Sequence, residues 1–266
     1  MERREFVAAS IGASVGSLLE PAEGRAQTSM GKPQILELRW YRFRFGPMEA
    51  RWSDYAKSTL IPAMNRAGVK PIGAFSVALG PDSPSTLLLL PHQSAESVVT
   101  MAGRLSADAE YQRAAAPFRS LPASDPPYVR RESSLAVAFD GAPVLEAPSG
   151  ALAAPSRMFE LRTYESHNET AGSKKIEMFE KGGEIAIFRR VGLTPVFLAR
   201  DVVGPALPSL TYMVVFADAA AREKAWATFR EDPEWVKLRS TAGYSNADIL
   251  TNTHTMLLRP TPFSQI

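Results

Sequence analysis

The sequence contains an internal repeat at an offset of 124 residues, and no other feature restricts its possible folds as strongly. Glycine and proline recur in register, and both residue types are restricted to particular backbone geometries. The recurring pairs are Arg66 and Arg190, Gly68 and Gly192, Pro71 and Pro195, Gly80 and Gly204, Pro81 and Pro205, Pro84 and Pro208, Ser85 and Ser209, Asp108 and Asp232, and Glu110 and Glu234. The repeat therefore predicts two copies of one supersecondary unit.

Each copy begins with the tripeptide Glu-Leu-Arg, at residues 37–39 and 160–162. The alternation of polar and apolar residues predicts strands over residues 35–43 and 158–165. Alternate side chains of a strand point to opposite faces, so the polar residues of each strand share one face. These polar sets are Glu37, Arg39 and Tyr41 in the first copy and Glu160, Arg162 and Tyr164 in the second.

Both copies predict the order strand, helix, strand, strand, helix, strand. In the second copy a helix is expected over residues 174–191, and Asp218 is a predicted N-cap for the next helix. Such a unit forms an antiparallel sheet with both helices on one face. The bare apolar faces must then cover each other, because neither can remain in water. We predict an α+β fold of two tandem ferredoxin-like (βαββαβ) modules, packed sheet to sheet as an intrachain α+β barrel.

The modules are predicted over residues 32–139 and 156–262. Residues 140–155, rich in proline, glycine and alanine, form the predicted linker. Arg3 and Arg4 precede a short apolar stretch and small residues, which predicts an export signal of the twin-arginine type over residues 1–27. The mature protein would then be periplasmic or otherwise exported. The alternative is a disordered cytoplasmic tail.

Composition excludes several classes of function. The net charge is +2, and no basic stripe is present, so a nucleic-acid partner is not expected. The chain has no cysteine and three histidines, which excludes thiolate chemistry and argues against a metal site. No apolar stretch is long enough for a membrane span. No motif implies a cofactor.

The second copy contains Glu-Leu-Arg-Thr-Tyr at residues 160–164, Gly192, and Phe-Arg-Glu-Asp-Pro-Glu-Trp at residues 229–235. With these motifs it resembles the NIPSNAP family. The first copy, residues 32–139, resembles the family more loosely, because Trp40 replaces the threonine and Ala-Glu-Tyr at residues 109–111 replaces Pro-Glu-Trp. The resemblance implies a fold of the α+β-barrel group, whose other members include cofactor-independent monooxygenases, haem-handling proteins and isomerases. The family has no agreed reaction, so the resemblance implies a fold and leaves the function open.

We predict that the two polar strand faces line the gap between the sheets. Arg162 would there hold an anionic group of a small-molecule ligand. The alternative is that Glu160 and Arg162 form ion pairs across the interface with the other copy. The predicted substrate-binding residues are Glu37, Arg39, Tyr41, Glu160, Arg162, Tyr164 and Asn252.

His254 is the candidate catalytic residue, because it lies on the last strand, shares a face with Asn252 and Met256, and is of a residue type that often serves as a general acid or base. The alternative is a packed core histidine. His92 is expected on a solvated turn, and Lys174 and Lys175 on a solvated helix face. The aromatic stripe of Trp226, Phe229 and Trp235 is interpreted as core.

Three functions follow from these observations. The first is a binding protein for a small molecule or a partner. The second is a cofactor-independent oxygenase or isomerase, with His254 as the base and Arg162 as the electrostatic clamp. The third is a purely structural or interaction protein whose inter-sheet space is filled by side chains. Either a monomer with an intrachain pseudo-dimer or a homo-oligomer is compatible with the sequence.

Overall fold

A computed structural model describes residues 32–266, and the predicted export signal lies outside the described residues. The strands of this part of the chain are β1 (Ile35–Arg42), β2 (Gly73–Leu79), β3 (Ser85–His92), β4 (Arg130–Ala138), β5 (Met158–Glu165), β6 (Thr194–Val203), β7 (Ser209–Phe216) and β8 (Asn252–Pro260). They form one closed antiparallel barrel in the order β1-β3-β2-β8-β5-β7-β6-β4. The predicted α+β class is therefore confirmed.

Helices cover the outside of the barrel. They are α1 (Met48–Tyr55), α2 (Ile61–Arg66), α3 (Ala95–Ala107), α4 (Ala109–Arg119), α5 (Glu169–Glu180), α6 (Glu184–Val191), α7 (Ala219–Glu231), α8 (Pro233–Arg239) and α9 (Asn246–Ile249). A π-helical turn, Ala56–Leu60, joins α1 to α2. Asp218 accepts a hydrogen bond from the backbone N–H of Ala221, as expected for the N-cap of α7.

The two halves of the barrel join edge to edge. Strands β2 and β8 pair with Val77 opposite Leu258, and β4 and β6 pair with Ala138 opposite Ala199. These pairings satisfy edge N–H and C=O groups that two separate sheets would leave exposed. The predicted intrachain α+β barrel is therefore confirmed, with the apolar faces of the two halves meeting in its interior. The pairing of the strand edges, which closes the two halves into one continuous sheet, was not part of the prediction.

Apolar side chains fill the interior of the barrel. Leu36, Leu38 and Trp40 project inward from β1, and Phe159 and Leu161 project inward from β5. The interior of an eight-stranded barrel is just wide enough for its own side chains to fill it or for one small ligand, and here buried side chains of both halves, including Phe75 and Phe197, pack together in it. The predicted ligand cavity between the sheets is therefore wrong, since packed side chains occupy that space.

The polar strand faces lie outside the barrel, beneath the helices. Tyr41 on β1 packs in one cluster with Trp52 of α1, and Tyr212 on β7 packs in another with Phe188 of α6. Glu37, Arg39, Glu160 and Arg162 lie on this same outer side of their strands. The sharing of a face was predicted correctly, but the face points toward the helices.

Two helix predictions need correction. The helix expected over residues 174–191 is interrupted by Gly182 and by Gly183, which has a positive φ of +86°. A Cβ at Gly182 would lie 2.6 Å from the Met178 carbonyl oxygen, so only glycine fits there. Lys175 is 1% exposed rather than solvated, because its ammonium pairs with Glu184 at 2.8 Å.

Matching ion pairs link the helices in each half. Arg66 Nη2 lies 2.7 Å from Asp108 Oδ2, and Arg190 Nη2 lies 2.8 Å from Asp232 Oδ2. Each aspartate also caps the following helix by accepting backbone N–H hydrogen bonds. The repeated residues therefore make the same contact twice. None of the helices in residues 32–266 has the length and apolar character needed to cross a bilayer.

Candidate functional site

Glu160 anchors a polar cluster on the outer face of β5. Its side chain is 0% exposed and accepts hydrogen bonds from Arg162 Nη1 at 3.1 Å, Arg222 Nε at 2.5 Å and Trp226 Nε1 at 2.9 Å. Two guanidinium groups and an indole N–H thus compensate the buried carboxylate, which would otherwise be very unfavourable. The partners come from its own half, so the predicted pairing across the two copies is wrong.

Arg162 is held between this carboxylate and two aromatic rings. Its guanidinium carbon lies 4.6 Å from the ring centroid of Trp226 and 5.5 Å from that of Tyr164. Burial lowers the pKa of Arg162, but the adjacent tyrosines and Glu160 outweigh this effect and raise it. Its buried Nε has no hydrogen-bond partner among the described residues. Arg162 is therefore a permanent cation with donor capacity to spare.

A cavity of about 910 Å³ opens next to this cluster, between β5 and the helices α7 and α8. We call it the arginine cavity. Its lining residues are Arg162, Tyr164, Arg222, Glu223, Trp226, Ala227, Phe229, Arg230, Trp235, Arg239, Ser245 and Asn246. Its walls combine four guanidinium groups with four aromatic rings, a combination that suits a ligand with an anionic group and a flat apolar body.

Charge in the arginine cavity is strongly positive. Arg162 and Arg222 form ion pairs with Glu160, whereas Arg230 and Arg239 form no ion pair within residues 32–266. Glu223 is the one acidic residue of the lining, and Glu160 lies behind Arg162 and Arg222. Four arginines against two glutamates leave a formal excess of two positive charges. The cavity therefore favours anions.

Beneath the cavity lies a buried network of tyrosine, lysine and glutamate. The hydroxyl groups of Tyr164 and Tyr212 are 2.8 Å apart, and Lys175 Nζ lies 5.6 Å from the Tyr164 ring centroid. Burial raises the pKa of both tyrosines, so both stay protonated at neutral pH. Burial also raises the pKa of Glu184, an effect that Lys175 opposes. This network supports the floor of the cavity.

Glu37 occupies the matching position in the first half and likewise pairs with the arginine two residues further along its strand, but its other partners differ. It accepts hydrogen bonds from Arg39 Nε at 2.8 Å, Arg39 Nη2 at 2.9 Å and Ser133 Oγ at 2.6 Å, and His92 Nε2 lies 3.3 Å away. Burial raises the pKa of Glu37, but His92 and Arg39 outweigh it and lower the pKa to about 2. His92 is fully buried on β3, so its predicted solvated turn is wrong.

Arg39 is the equivalent of Arg162 in the first half, but the other three cations of the arginine cavity have no equivalent there. Strands β3 and β7, and helices α3 and α7, correspond at the same offset of 124 residues. At this offset Arg222 corresponds to Val98, and Arg230 corresponds to Ser106. Arg239 of α8 is matched by Ala115 of α4. These three arginines are therefore a specific property of the second half.

Asn252 and His254 lie at the open end of the barrel, away from this cavity. His254 is 53% exposed, and its Nε2 contacts Glu165 and lies 3.2 Å from Asn252 Nδ2. In the register of β5 and β8, His254 pairs with Thr163, whose face is the inner one, whereas Arg162 points outward. One small substrate cannot touch both side chains. The predicted joint action of His254 and Arg162 is therefore wrong.

Arg222, Arg230 and Arg239 were missed at the sequence level, although helical spacing gives a signal for the first two. Arg222, Trp226 and Arg230 are spaced four residues apart and so share one face of α7. Trp226 and Phe229 are buried, which confirms their interpretation as core. Arg222 and Arg230 lie on the same face of α7 as Trp226, and this spacing indicates that the aromatic stripe also borders a basic cavity.

The fold and the cavity define an α+β-barrel protein that carries an arginine-lined cavity on the outside of its sheet. Residues 159–265 match the model of the NIPSNAP family, so the second half of the chain is a NIPSNAP family domain. The resemblance inferred from the motifs is confirmed for this half. No curated protein matches the chain.

Several solved structures share the fold. A candidate monooxygenase from Lactobacillus acidophilus is 6% identical, with 86% of this chain and 94% of that chain covered at a TM-score of 0.57. A candidate monooxygenase from Fusobacterium nucleatum is 8% identical, with coverages of 86% and 93% and a TM-score of 0.55. A candidate chlorite dismutase is 13% identical, with coverages of 87% and 96% and a TM-score of 0.50. These likenesses concern the fold alone.

Proposed function

We propose that the protein binds small aromatic carboxylates in the arginine cavity. The observation that carries the proposal is the placement of Arg230 and Arg239, which have no ionic partner among the described residues, around a cavity walled by aromatic rings. A guanidinium group binds a carboxylate through two parallel hydrogen bonds. The aromatic walls favour a flat apolar ring behind that carboxylate.

The size of the cavity supports this class of ligand. Small-molecule sites typically have volumes of roughly 300–1,000 Å³ and combine apolar walls with a few placed polar groups. The arginine cavity, at about 910 Å³, lies in this range and accommodates a ring system larger than a single benzene ring. Naphthoate is therefore a suitable probe.

Binding is a better-supported function than turnover. None of the residues that line the cavity within the described part of the chain is a histidine, and the acidic lining residue Glu223 is exposed. The alternative function, a cofactor-independent oxygenase or isomerase, takes support only from neighbours of the same fold that are described as candidate monooxygenases. The packed interior of the barrel supports a structural role for the interior side chains. We therefore propose that the ligand binds outside the barrel, in the arginine cavity.

Isothermal titration with naphthoate tests the proposal. The double variant Arg230→Ser/Arg239→Ala carries the residues of the matching first-half positions and should weaken binding by about a hundredfold, because each of the two lost charge-assisted contacts contributes roughly 1.5 kcal/mol. Lys224→Ala removes one charge from the exposed side of α7 and serves as the control. Equal affinity of wild type and the double variant, or no heat with wild type, would overturn the proposal.

We further propose that the two halves are ferredoxin-like modules related by duplication. The matching strand orders β4-β1-β3-β2 and β8-β5-β7-β6, and the repeated Arg-Asp contact, support this origin. Export through a twin-arginine signal is a separate proposal that rests on Arg3 and Arg4. N-terminal sequencing of protein from a periplasmic fraction tests it, with retention of residues 1–27 as the contrary result.

A further inference from the structure

We infer that the first half holds a second anion-binding site, specific for phenolic carboxylates and independent of the arginine cavity. It lies beneath α3 and α4, at the place that corresponds to the arginine cavity in the second half. Two adjoining cavities of about 390 and 300 Å³ form it. Both are lined by Arg39, Leu105, Tyr111, Arg119 and Arg131, so they are two parts of one site, which we call the tyrosine cavity.

The charge of the tyrosine cavity is positive. Arg39 is neutralised by Glu37, the one acidic residue of the lining. Arg131 forms no ion pair within residues 32–266, and Arg119 Nη1 donates to the neutral amide oxygen of Gln112 at 2.8 Å. Two guanidinium charges therefore remain without an acidic partner in the described part of the chain. A carboxylate is the group that they fit best.

Tyrosine hydroxyls supply the second element of recognition. The hydroxyl oxygens of Tyr55 and Tyr111 lie 2.8 Å apart, and one proton is enough to make that hydrogen bond. The other hydroxyl proton is free to be donated, and the tyrosine oxygens can also accept. Burial raises the pKa of Tyr41 and Tyr55, so these hydroxyls stay protonated at neutral pH. A ligand hydroxyl can therefore both donate and accept here.

Flat rings border the same space. Tyr55 stacks on Phe118 with ring centroids 4.0 Å apart and an angle of 5° between the rings. Tyr41 and Tyr128 meet edge to face at 5.3 Å. A cavity of about 300 Å³ with such walls accommodates a single benzene ring. The aromatic walls fit a benzene ring, the two arginines fit a carboxylate, and the tyrosine hydroxyls fit a phenol, so the site suits a hydroxybenzoate-like ligand.

The two sites do not share their cations. Arg131 pairs with Tyr41 in the sheet register, and the equivalent partner of Tyr164 is Thr253. Arg119 at the end of α4 corresponds to Gly243 in the repeat. Each cavity thus has its own arginines beside the common one, Arg39 or Arg162. Different cations in corresponding places indicate different ligands.

Titration with para-hydroxybenzoate tests the inference. Arg131→Thr introduces the residue of the second half at an exposed position, and it should raise the Kd for para-hydroxybenzoate about tenfold while leaving naphthoate binding unchanged. Arg230→Ser should instead raise the Kd for naphthoate and leave para-hydroxybenzoate binding unchanged. Arg113→Ala, on the exposed side of α4, should change neither Kd. An unchanged Kd for para-hydroxybenzoate in Arg131→Thr would overturn the second site, whatever naphthoate does.

The phenolic part of the inference has its own readout. Wild type should bind para-hydroxybenzoate more tightly than benzoate, and Tyr111→Phe should reduce that preference about tenfold while leaving benzoate affinity unchanged. Near-ultraviolet circular dichroism verifies that the variant keeps its aromatic packing. An equal preference in wild type and Tyr111→Phe would overturn recognition of the ligand hydroxyl by this tyrosine.

Discussion

Arg222 Nε lies 2.5 Å from the carboxylate of Glu160, which joins α7 to the outer face of β5. The equivalent position of the first half is Val98, which cannot make this contact. The matching carboxylate, Glu37, is instead held by Arg39, Ser133 and His92. Two buried glutamates in corresponding places thus share one arginine partner and differ in the others, and the cavities beside them differ as well.

Arg222→Val should destabilise the protein. Glu160 stays buried but loses one of its two cationic partners, and leaving a buried charge under-compensated costs about 2–4 kcal/mol. Urea unfolding measures this loss. In a Glu160→Gln background the same substitution should cost much less, because no buried charge remains. Additive effects in this double-mutant cycle would contradict the account.

Glu37 should make stability depend on pH in the acid range. Its folded-state pKa of about 2 lies below the ordinary 4.5, so the stabilisation is present above pH 4.5 and is lost as the pH falls toward 2. The pKa difference corresponds to about 3 kcal/mol. Urea unfolding of wild type and Glu37→Gln at several pH values measures the effect. The stability gap between them should shrink as the pH falls, and a constant gap would contradict the assigned pKa.

The buried pair of Lys175 and Glu184 should be costly to break and easy to replace. Lys175→Met leaves Glu184 buried without its partner and should destabilise the protein by about 3–5 kcal/mol. The double variant Lys175→Met/Glu184→Leu should recover most of this loss, because Leu60 occupies the position of Glu184 in the first half. Thermal unfolding compares the three proteins. A double variant no more stable than Lys175→Met would contradict the prediction.

His254→Ala should have little effect on either folding or binding. The side chain is 53% exposed, and its contact with Glu165 lies at the open end of the barrel. Exposed ion pairs contribute only about 0–1 kcal/mol. Naphthoate titration and urea unfolding should therefore both resemble wild type. A large loss of naphthoate binding would show that the arginine cavity is not the site.

The repeat and the alternation in β1 and β5 predicted the strands and their shared polar faces. Which face would point inward was not predictable, since both faces of β1 carry large residues: Leu38 and Trp40 on one, Tyr41 on the other. Glu37 and Arg39 neutralise each other within one strand, which allows a polar face to be buried under helices. A narrow closed barrel instead requires apolar residues inside.

The cavity arginines were harder to predict because they depend on tertiary contacts. Arg239 lies on α8, a separate helix that begins after Asp232, so its place beside Arg230 in the cavity lining cannot be seen from the spacing within one helix. The pairing of the edge strands β2 and β8 could not be predicted from the sequence pattern either, because an exposed edge strand and a paired one contain the same residue types.

A crystal structure of the protein with naphthoate tests the central claim most directly. Density for the ring against Trp226 or Trp235, with the carboxylate within hydrogen-bond distance of Arg230 or Arg239, is the predicted result. Naphthoate bound at the open end of the barrel beside His254, or an arginine cavity without naphthoate at a saturating concentration, would contradict the account.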